Sequence, residues 1–157
     1  MRDNDGEIIY IIGSLRDQTN PKERNMKVIE IAKKLRKLGY RVFDDWISPG
    51  PRADDYWKEY EESRGRTYKE ALKGWAGKHV FEFDKHHLDA AAIALLVLPA
   101  GKSAHLELGY MIGKGKVGCI LMDKPDRWDV MYQFANSIFF IEEEMFDYFK
   151  NRKKLRK

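Results

Sequence analysis

Seven residues near the middle of the chain, IALLVLP at 93–99, limit the fold more than any other feature. The run contains no polar residue, stops at a proline, and is far shorter than the roughly 20 apolar residues a membrane helix needs. A strand with one wet face alternates apolar and polar side chains. An unbroken apolar strand is covered on both faces, which is the situation of a strand inside a parallel sheet.

The rest of the chain repeats that logic. EIIYIIG (7–13), YRVFDDW (40–46), VGCILMD (117–123) and SIFFI (137–141) read as further strands. Between them lie helical segments. In 20–39, Pro21 suits a first turn, Val28, Ile31, Ala32, Leu35 and Leu38 form one stripe, and Gly39 ends it. Residues 54–78 read as helical with a break near 63–66, 81–92 as a short helix, and 103–115, 126–135 and 142–152 as further helices. Strand and helix alternate, so the expected fold is α/β: a flavodoxin-like, Rossmann-like three-layer sandwich with five mostly parallel strands in the order 2-1-3-4-5. In such sheets ligands bind beyond the carboxyl ends of strands 1 and 3, where the winding reverses.

A length of 157 residues suits one domain spanning 1–157, with 47–78 as a helical lid-like insertion and 150–157 as a basic tail. Hydrophobic content of 43% and aromatic content of 13% argue for a packed core. The single cysteine, Cys119, excludes an internal disulfide framework and suits a reducing, cytoplasmic setting. The sequence shows neither a secretory leader nor a long apolar span, so no membrane partner is expected. The net charge of +4 is carried in part by KNRKKLRK at 150–157. A basic helix end facing water accounts for that tail, so charge alone does not argue for nucleic-acid binding.

Two strand ends carry chemistry. In GSLR (13–16), Gly13 lets a ligand approach the backbone, and the amides near Gly13, Ser14 and Leu15, the Ser14 hydroxyl and the Arg16 guanidinium suit a phosphate. In AGKS (100–103), Gly101, Lys102 and Ser103 place a flexible turn, a cation and a hydroxyl at a helix start, an anion site in waiting; His105 follows on the same turn and joins the substrate-binding candidates. AGKS is no P-loop, because the first glycine of that motif is missing. Glu107 then sits between Leu106 and Leu108 on a helix pressed to an apolar sheet. If Ser103 caps the helix, the capping-box position is Leu106, so Glu107 is not explained as a cap. A partly desolvated carboxylate beside a ligand site is a candidate nucleophile or base. Asp84, in FEFDKHHLD, is its candidate partner; its competing reading is a cap for a helix beginning at Lys85. The histidines lack zinc-site spacing, so no metal is expected.

Taken together, IYIIGSLR (9–16), FDKHHLDAAAIALLVLPAGKSAHLELGY (83–110) and CILMD (119–123) resemble the nucleoside 2-deoxyribosyltransferase-like superfamily, including its deoxyribonucleoside 5′-monophosphate N-glycosidases and phage-borne relatives. The resemblance covers roughly residues 7–135. It implies cleavage of a base–sugar bond through a glycosyl-enzyme intermediate. Glu107 matches the nucleophile, Asp84 the acid that handles the departing base, and Tyr10 a strand-1 tyrosine lining the sugar site. Gly13, Ser14, Leu15 and Arg16 match the loop that holds a 5′-phosphate, which points to a nucleotide rather than a free nucleoside. Ser103 lies near a second phosphate contact. The resemblance also implies no cofactor, a small-molecule nucleoside or nucleotide substrate, and a homodimer or larger homo-oligomer with shared sites. Trp46 and Tyr56, in the long 46–68 segment, are candidate stacking groups over the base. One departure stands out: relatives often carry an acid eight residues after the base-handling aspartate, where this chain has Ala92. That change keeps a binding-only protein among the alternatives, beside hydrolysis of a monophosphate and base exchange on free deoxynucleosides.

Overall fold

Five strands pair in parallel in the order β2-β1-β3-β4-β5, as the alternation of elements predicts. They are β1 (Ile8–Ile12), β2 (Arg41–Phe43), β3 (Ile93–Val97), β4 (Val117–Leu121) and β5 (Ser137–Phe139). The structure is a computed structural model that describes residues 6–13, 21–45, 52–123 and 128–155. Six α-helices are described: α1 (Pro21–Lys37), α2 (Arg52–Ser63), α3 (Tyr68–Ala71), α4 (Trp75–Ala90), α5 (Lys102–Gly113) and α6 (Glu142–Lys154). A short 3-10 turn covers Val130–Phe134.

Every residue of β3 is buried, as the apolar run requires. Side chains alternate across a strand, so the sheet divides its apolar residues between two faces. Ile9, Ile11, Ile93, Leu95, Val97, Cys119 and Leu121 turn toward α1 and α6, where Val28, Ile31, Leu35, Met145 and Phe149 meet them. Tyr10, Ile12, Phe43, Ala94, Leu96 and Ile120 turn the other way, toward Leu88 and Ala91 of α4 and Ala104, Leu108 and Met111 of α5. Three layers result, and the two helix pairs face different chemistry.

The α1/α6 side is sealed. The Tyr40 hydroxyl donates to the Phe149 carbonyl at 2.9 Å, and its ring meets Phe149 edge-on. Arg152 grips Glu7 with two N–H groups at 3.0 and 3.2 Å. Lys153 donates to the Gly39 carbonyl and covers the Tyr40 ring. Basic residues of the tail thus tie the last helix to the start of the sheet. Gly39 has φ +88°, so the turn that ends α1 needs the left-handed conformation glycine tolerates.

Several local expectations are corrected. The helix expected over 81–92 starts at Trp75, so Asp84 sits in the middle of α4 and caps nothing. Gly77 hid this, because glycine in a helix interior disfavours the helix by about 1 kcal/mol. It is tolerated because the Trp57 ring packs there: a Cβ on Gly77 would lie 3.4 Å from Trp57 Cε3. Likewise Gly101, not Ser103, is the N-cap of α5. The helix expected over 126–135 is only the 3-10 turn; its apolar residues Val130, Met131 and Phe134 are exposed, so no buried stripe sustains a longer helix. Ala92 lies in the bend before β3, packed on the α1/α6 side.

α5 packs tightly against β4 near the amino ends of the strands. A Cβ added at Gly118 would come within 2.5 Å of Ile112 Cγ1 and 3.1 Å of Leu108 Cδ1. Gly118→Ala is therefore expected to overpack this seam and destabilise the protein by about 1–3 kcal/mol, read as a lower urea midpoint with an unchanged denaturant slope.

Candidate functional site

Helical geometry settles the orientation of Glu107. Along α5, Ala104, Leu108 and Met111 are buried against the sheet while Leu106 is 74% exposed. Glu107 sits on the flank between those faces and is half-buried. The carboxylate is turned inward and its leucine neighbour outward, the reverse of what hydrophobicity alone would choose.

Two other groups share the space it faces. Tyr10 rises from β1 on the same sheet face and is 2% exposed. It stacks on Phe43 (centroids 4.9 Å apart), and Phe43 stacks in turn on His87 of α4 at 4.0 Å. His87 lies one turn beyond Asp84, so this stack fixes the face of α4 that carries the acid. The electrostatics show that the three groups lie close enough to feel one another's charge. Burial raises the Tyr10 hydroxyl well above its ordinary value, and the charges of Glu107 and then Asp84 raise it further. Burial, then the charge of Asp84, pushes Glu107 up to about 7. Asp84 is itself raised, first by burial and then by the charge of Asp54 on α2. Among the described residues no salt bridge neutralises Glu107 or Asp84. Half-buried acids left without a cation are unfavourable for folding, so their presence marks a site.

The rim beside them is formed by the ends of β1 and β3, which pair at Ile12 and Leu96. Gly13 follows β1 directly. Across from it, α5 begins at Gly101 with no side chain capping its first amides. Lys102 and Ser103 are exposed in that first turn. Open amides at a helix start carry partial positive charge and receive anions. Ser14, Leu15, Arg16 and Trp46 lie outside the described residues. Tyr56 is on α2 and 53% exposed.

His105 does different work from that expected of a ligand contact. Its Nδ1 bonds the Gly101 carbonyl at 2.8 Å and its Nε2 bonds the Tyr132 hydroxyl at 3.0 Å. Both ring nitrogens are engaged within the chain, bracing the start of α5 against the 3-10 turn. On that outer flank of α5 lies a groove of about 560 Å³. It is lined mainly by apolar groups, among them Leu108, Ile112, Met131 and Phe134, and is separate from the carboxylates.

Sequence reasoning missed Asp54, Phe43 and His87. The pattern Asp54, Trp57, Lys58 offered a signal: at spacings of three and four, an indole N–H and an ammonium fall on the same helical face as the carboxylate. Ala92, in contrast, faces away from Asp84 and Glu107, so its loss of an acid does not touch the hollow.

Glu107 should weaken the fold as pH rises. Its folded pKa of about 7 lies above its ordinary value of 4.5, so the native state holds a proton that the unfolded chain releases between those values. Its favourable contribution is complete below the lower value and lost as pH rises through the upper one. Glu107→Gln is expected to match the parent near pH 4.5 and to be more stable by about 1–3 kcal/mol at pH 8, measured by thermal unfolding at both pH values.

No family model and no curated protein matches the chain. Solved structures do. A 2-deoxyribosyltransferase from Bacillus psychrosaccharolyticus superposes with a TM-score of 0.60 at 18% identity, covering 89% of this chain and 90% of its own. A conserved protein from Enterococcus faecalis V583 gives 0.64 at 13% identity, over 94% and 99%. The CMP N-glycosidase BcmB of Clostridium botulinum gives 0.53 at 10% identity, over 90% and 96%. The superpositions agree with the sheet order: the chain shares its fold with these structures, among them a 2-deoxyribosyltransferase and a CMP N-glycosidase.

Proposed function

We propose that the protein is an N-glycosidase that cleaves the base–sugar bond of a nucleoside or deoxynucleoside 5′-monophosphate. One observation carries the reading: Glu107, Asp84 and Tyr10, from three different elements, come close enough beside an uncapped helix start that the charges of both acids raise Tyr10 and the charge of Asp84 raises Glu107. The likeness to a deoxyribosyltransferase and a CMP N-glycosidase supports it.

In this mechanism the 5′-phosphate is held by the first amides of α5, Lys102 and Ser103, together with Gly13 and the Ser14–Leu15–Arg16 loop. Ionised Glu107 attacks C1′ as the C1′–N bond breaks, its electron pair leaving with the base. Asp84 supplies the proton that neutralises the base. The transition state resembles an oxocarbenium ion, which the nearby carboxylate stabilises. Tyr10, held against Phe43, lines the sugar. Water then attacks C1′, Glu107 departs, and the proton released returns to Asp84. No cofactor enters the scheme. A second base taking the place of that water would instead give transfer, the reading favoured by the likeness to the deoxyribosyltransferase. The binding-only alternative rests on Ala92, which lies on the other face of the sheet.

The decisive assay incubates the protein with a panel of nucleoside and deoxynucleoside monophosphates and free nucleosides, with and without an added base, and separates the products. Free base and sugar phosphate from a monophosphate alone are expected, and Glu107→Gln should lower the rate by roughly 10³-fold or more. A new nucleoside formed only when a base is added would replace hydrolysis by transfer, and absence of any product would end the proposal.

A homo-oligomer follows from the same resemblance. The surface we assign to it is the exposed apolar strip of Leu106, Trp128, Val130, Met131 and Phe134 beside the α5 groove. Trp128→Glu is expected to shift the sedimenting species to the monomer.

A further inference from the structure

The helices α4 and α5 both run from the carboxyl toward the amino ends of the strands, because α4 ends just before β3 begins and α5 begins just after β3 ends. They lie side by side with one seam between them. On α5, Glu107, Tyr110 and Lys114 recur at spacings of three and four and share the side that meets this seam. On α4, Lys85 and Asp89 are four apart. The polar groups of the seam gather on Asp89. The Tyr110 hydroxyl donates to its Oδ1 at 2.6 Å and the Lys85 ammonium to its Oδ2 at 2.7 Å. Lys114 stands 3.7 Å from Oδ1. Both ammonium groups also lie over the Tyr110 ring, 5.8 and 5.6 Å from its centre.

We propose that Asp89 is a positioning residue that acts through Lys85: it holds that ammonium away from Glu107 and so leaves the carboxylate free to attack C1′. The role rests on the glycosidase reading above. Lys85 follows Asp84 directly, and its ammonium lies over the ring of the residue one helical turn, about 5.4 Å, beyond Glu107. The Cα–Cβ bond of Lys85 tilts toward the N-terminus of α4, which is the direction of Glu107. Asp89, one turn the other way, draws the head of the side chain back. Among the described residues, the charged and titratable groups facing Glu107 are Asp84 and Lys85 from α4, Tyr10 from β1 and, along α5 itself, Tyr110 and Lys114. Lys102 is exposed at the start of α5, and Lys114 lies two turns from Glu107. Lys85 is therefore the cation best placed to neutralise the nucleophile. An exposed pair four residues apart is weak by itself. Tyr110 strengthens this one by fixing the other carboxylate oxygen and by offering its ring face to the ammonium. Once released, the ammonium would find a half-buried acid that no cation pairs, where the attraction is less screened than at the surface. Such a pair would compete with C1′ for the carboxylate.

Carbon-13 NMR titration of glutamate-labelled protein without substrate reads the hold directly, with Glu107→Gln assigning the signal. Asp89→Asn removes the charge while its side chain still accepts from Tyr110. In this variant Glu107 should titrate lower by about half a unit to one unit. Adding Lys85→Gln to Asp89→Asn should return the titration to its parent position, whereas Lys85→Gln in the parent should move it little. A titration unmoved in Asp89→Asn overturns the proposal whatever the activity. So does an equal effect of Lys85→Gln in both backgrounds, because the two charges then act on Glu107 separately and not through each other. Turnover follows the same arithmetic. A shift of that size leaves roughly a third to a tenth of the carboxylate unpaired, so kcat/KM above the titration should fall about three- to tenfold in Asp89→Asn and recover in the double variant. A deficit that the double variant keeps would make Asp89 structural and overturn the proposal. If the parent yields no product while the titrations move as expected, the glycosidase reading fails and the hold of Asp89 on Lys85 stands.

Discussion

An inward carboxylate with no cation paired to it among the described residues is the constraint on which the candidate site depends. Glu107 occupies a helix position whose neighbour Leu106 is left 74% exposed, an exchange that gains nothing for the core. Reversing the two would bury a leucine and hydrate an acid, a change worth a few kcal/mol in total. The chain instead keeps the acid where Asp84 and Tyr10 can feel it, and burial pushes its pKa up to about 7. A lysine or arginine at hand would offset that perturbation and hold the carboxyl nearer its ordinary range.

The two faces of the sheet divide the labour. On the α1/α6 face every strong interaction closes the structure: Tyr40 to Phe149, Arg152 to Glu7, Lys27 of α1 to Asp123 after β4. On the α4/α5 face the packing includes a firm closure toward the amino ends of the strands. There Leu88, Ala91 and Met111 are buried and Lys116 donates to the carbonyls of Leu88, Asp89 and Ala91 at the end of α4. The acids project from the middle of α4 and the second turn of α5, above that packed floor. Stability is concentrated on one face and at one end, which leaves the opposite end free to hold groups that oppose folding.

Much of this was legible from the residues. Apolar runs and the strand–helix alternation gave the sheet and its order, because burial on both faces leaves little choice of pattern. Glu107 stood out as a candidate because no capping rule explained it, and its inward, half-buried place on α5 is what the structure adds. What failed was local punctuation. Gly77 reads as a helix breaker until Trp57, twenty positions earlier, is known to pack on it. Asp84 reads as a cap only if α4 starts too late. Ser103 reads as a cap, although Gly101 takes that place and His105 turns back to its carbonyl. Residues 126–135 read as a helix, yet Trp128, Val130 and Met131 face solvent. The late start read for α4 arises where a contact distant in sequence overrides a neighbouring preference, whereas the cap at Gly101 is a local matter, with His105 only four residues on.

On the proposed reading the two ends of the substrate meet very different kinds of wall. The sugar would lie on β1 and α5, where Tyr10 is locked between strands by its stack on Phe43 and α5 is held by buried Leu108 and Met111. No residue there can change without disturbing the sheet. The base would lie toward α2, which touches the rest mainly through its hairpin with α4. That hairpin is anchored at the far end by Glu61, 1% exposed, and its bridge to Arg66. Its near end carries Tyr56, Asp54 and Lys58, which are partly exposed, with Asp54 paired to Lys58. Substitution at the near end therefore alters what faces the base at little expense to the fold. On that reading the rigid wall would carry the glycosyl chemistry and the adjustable one the choice of base.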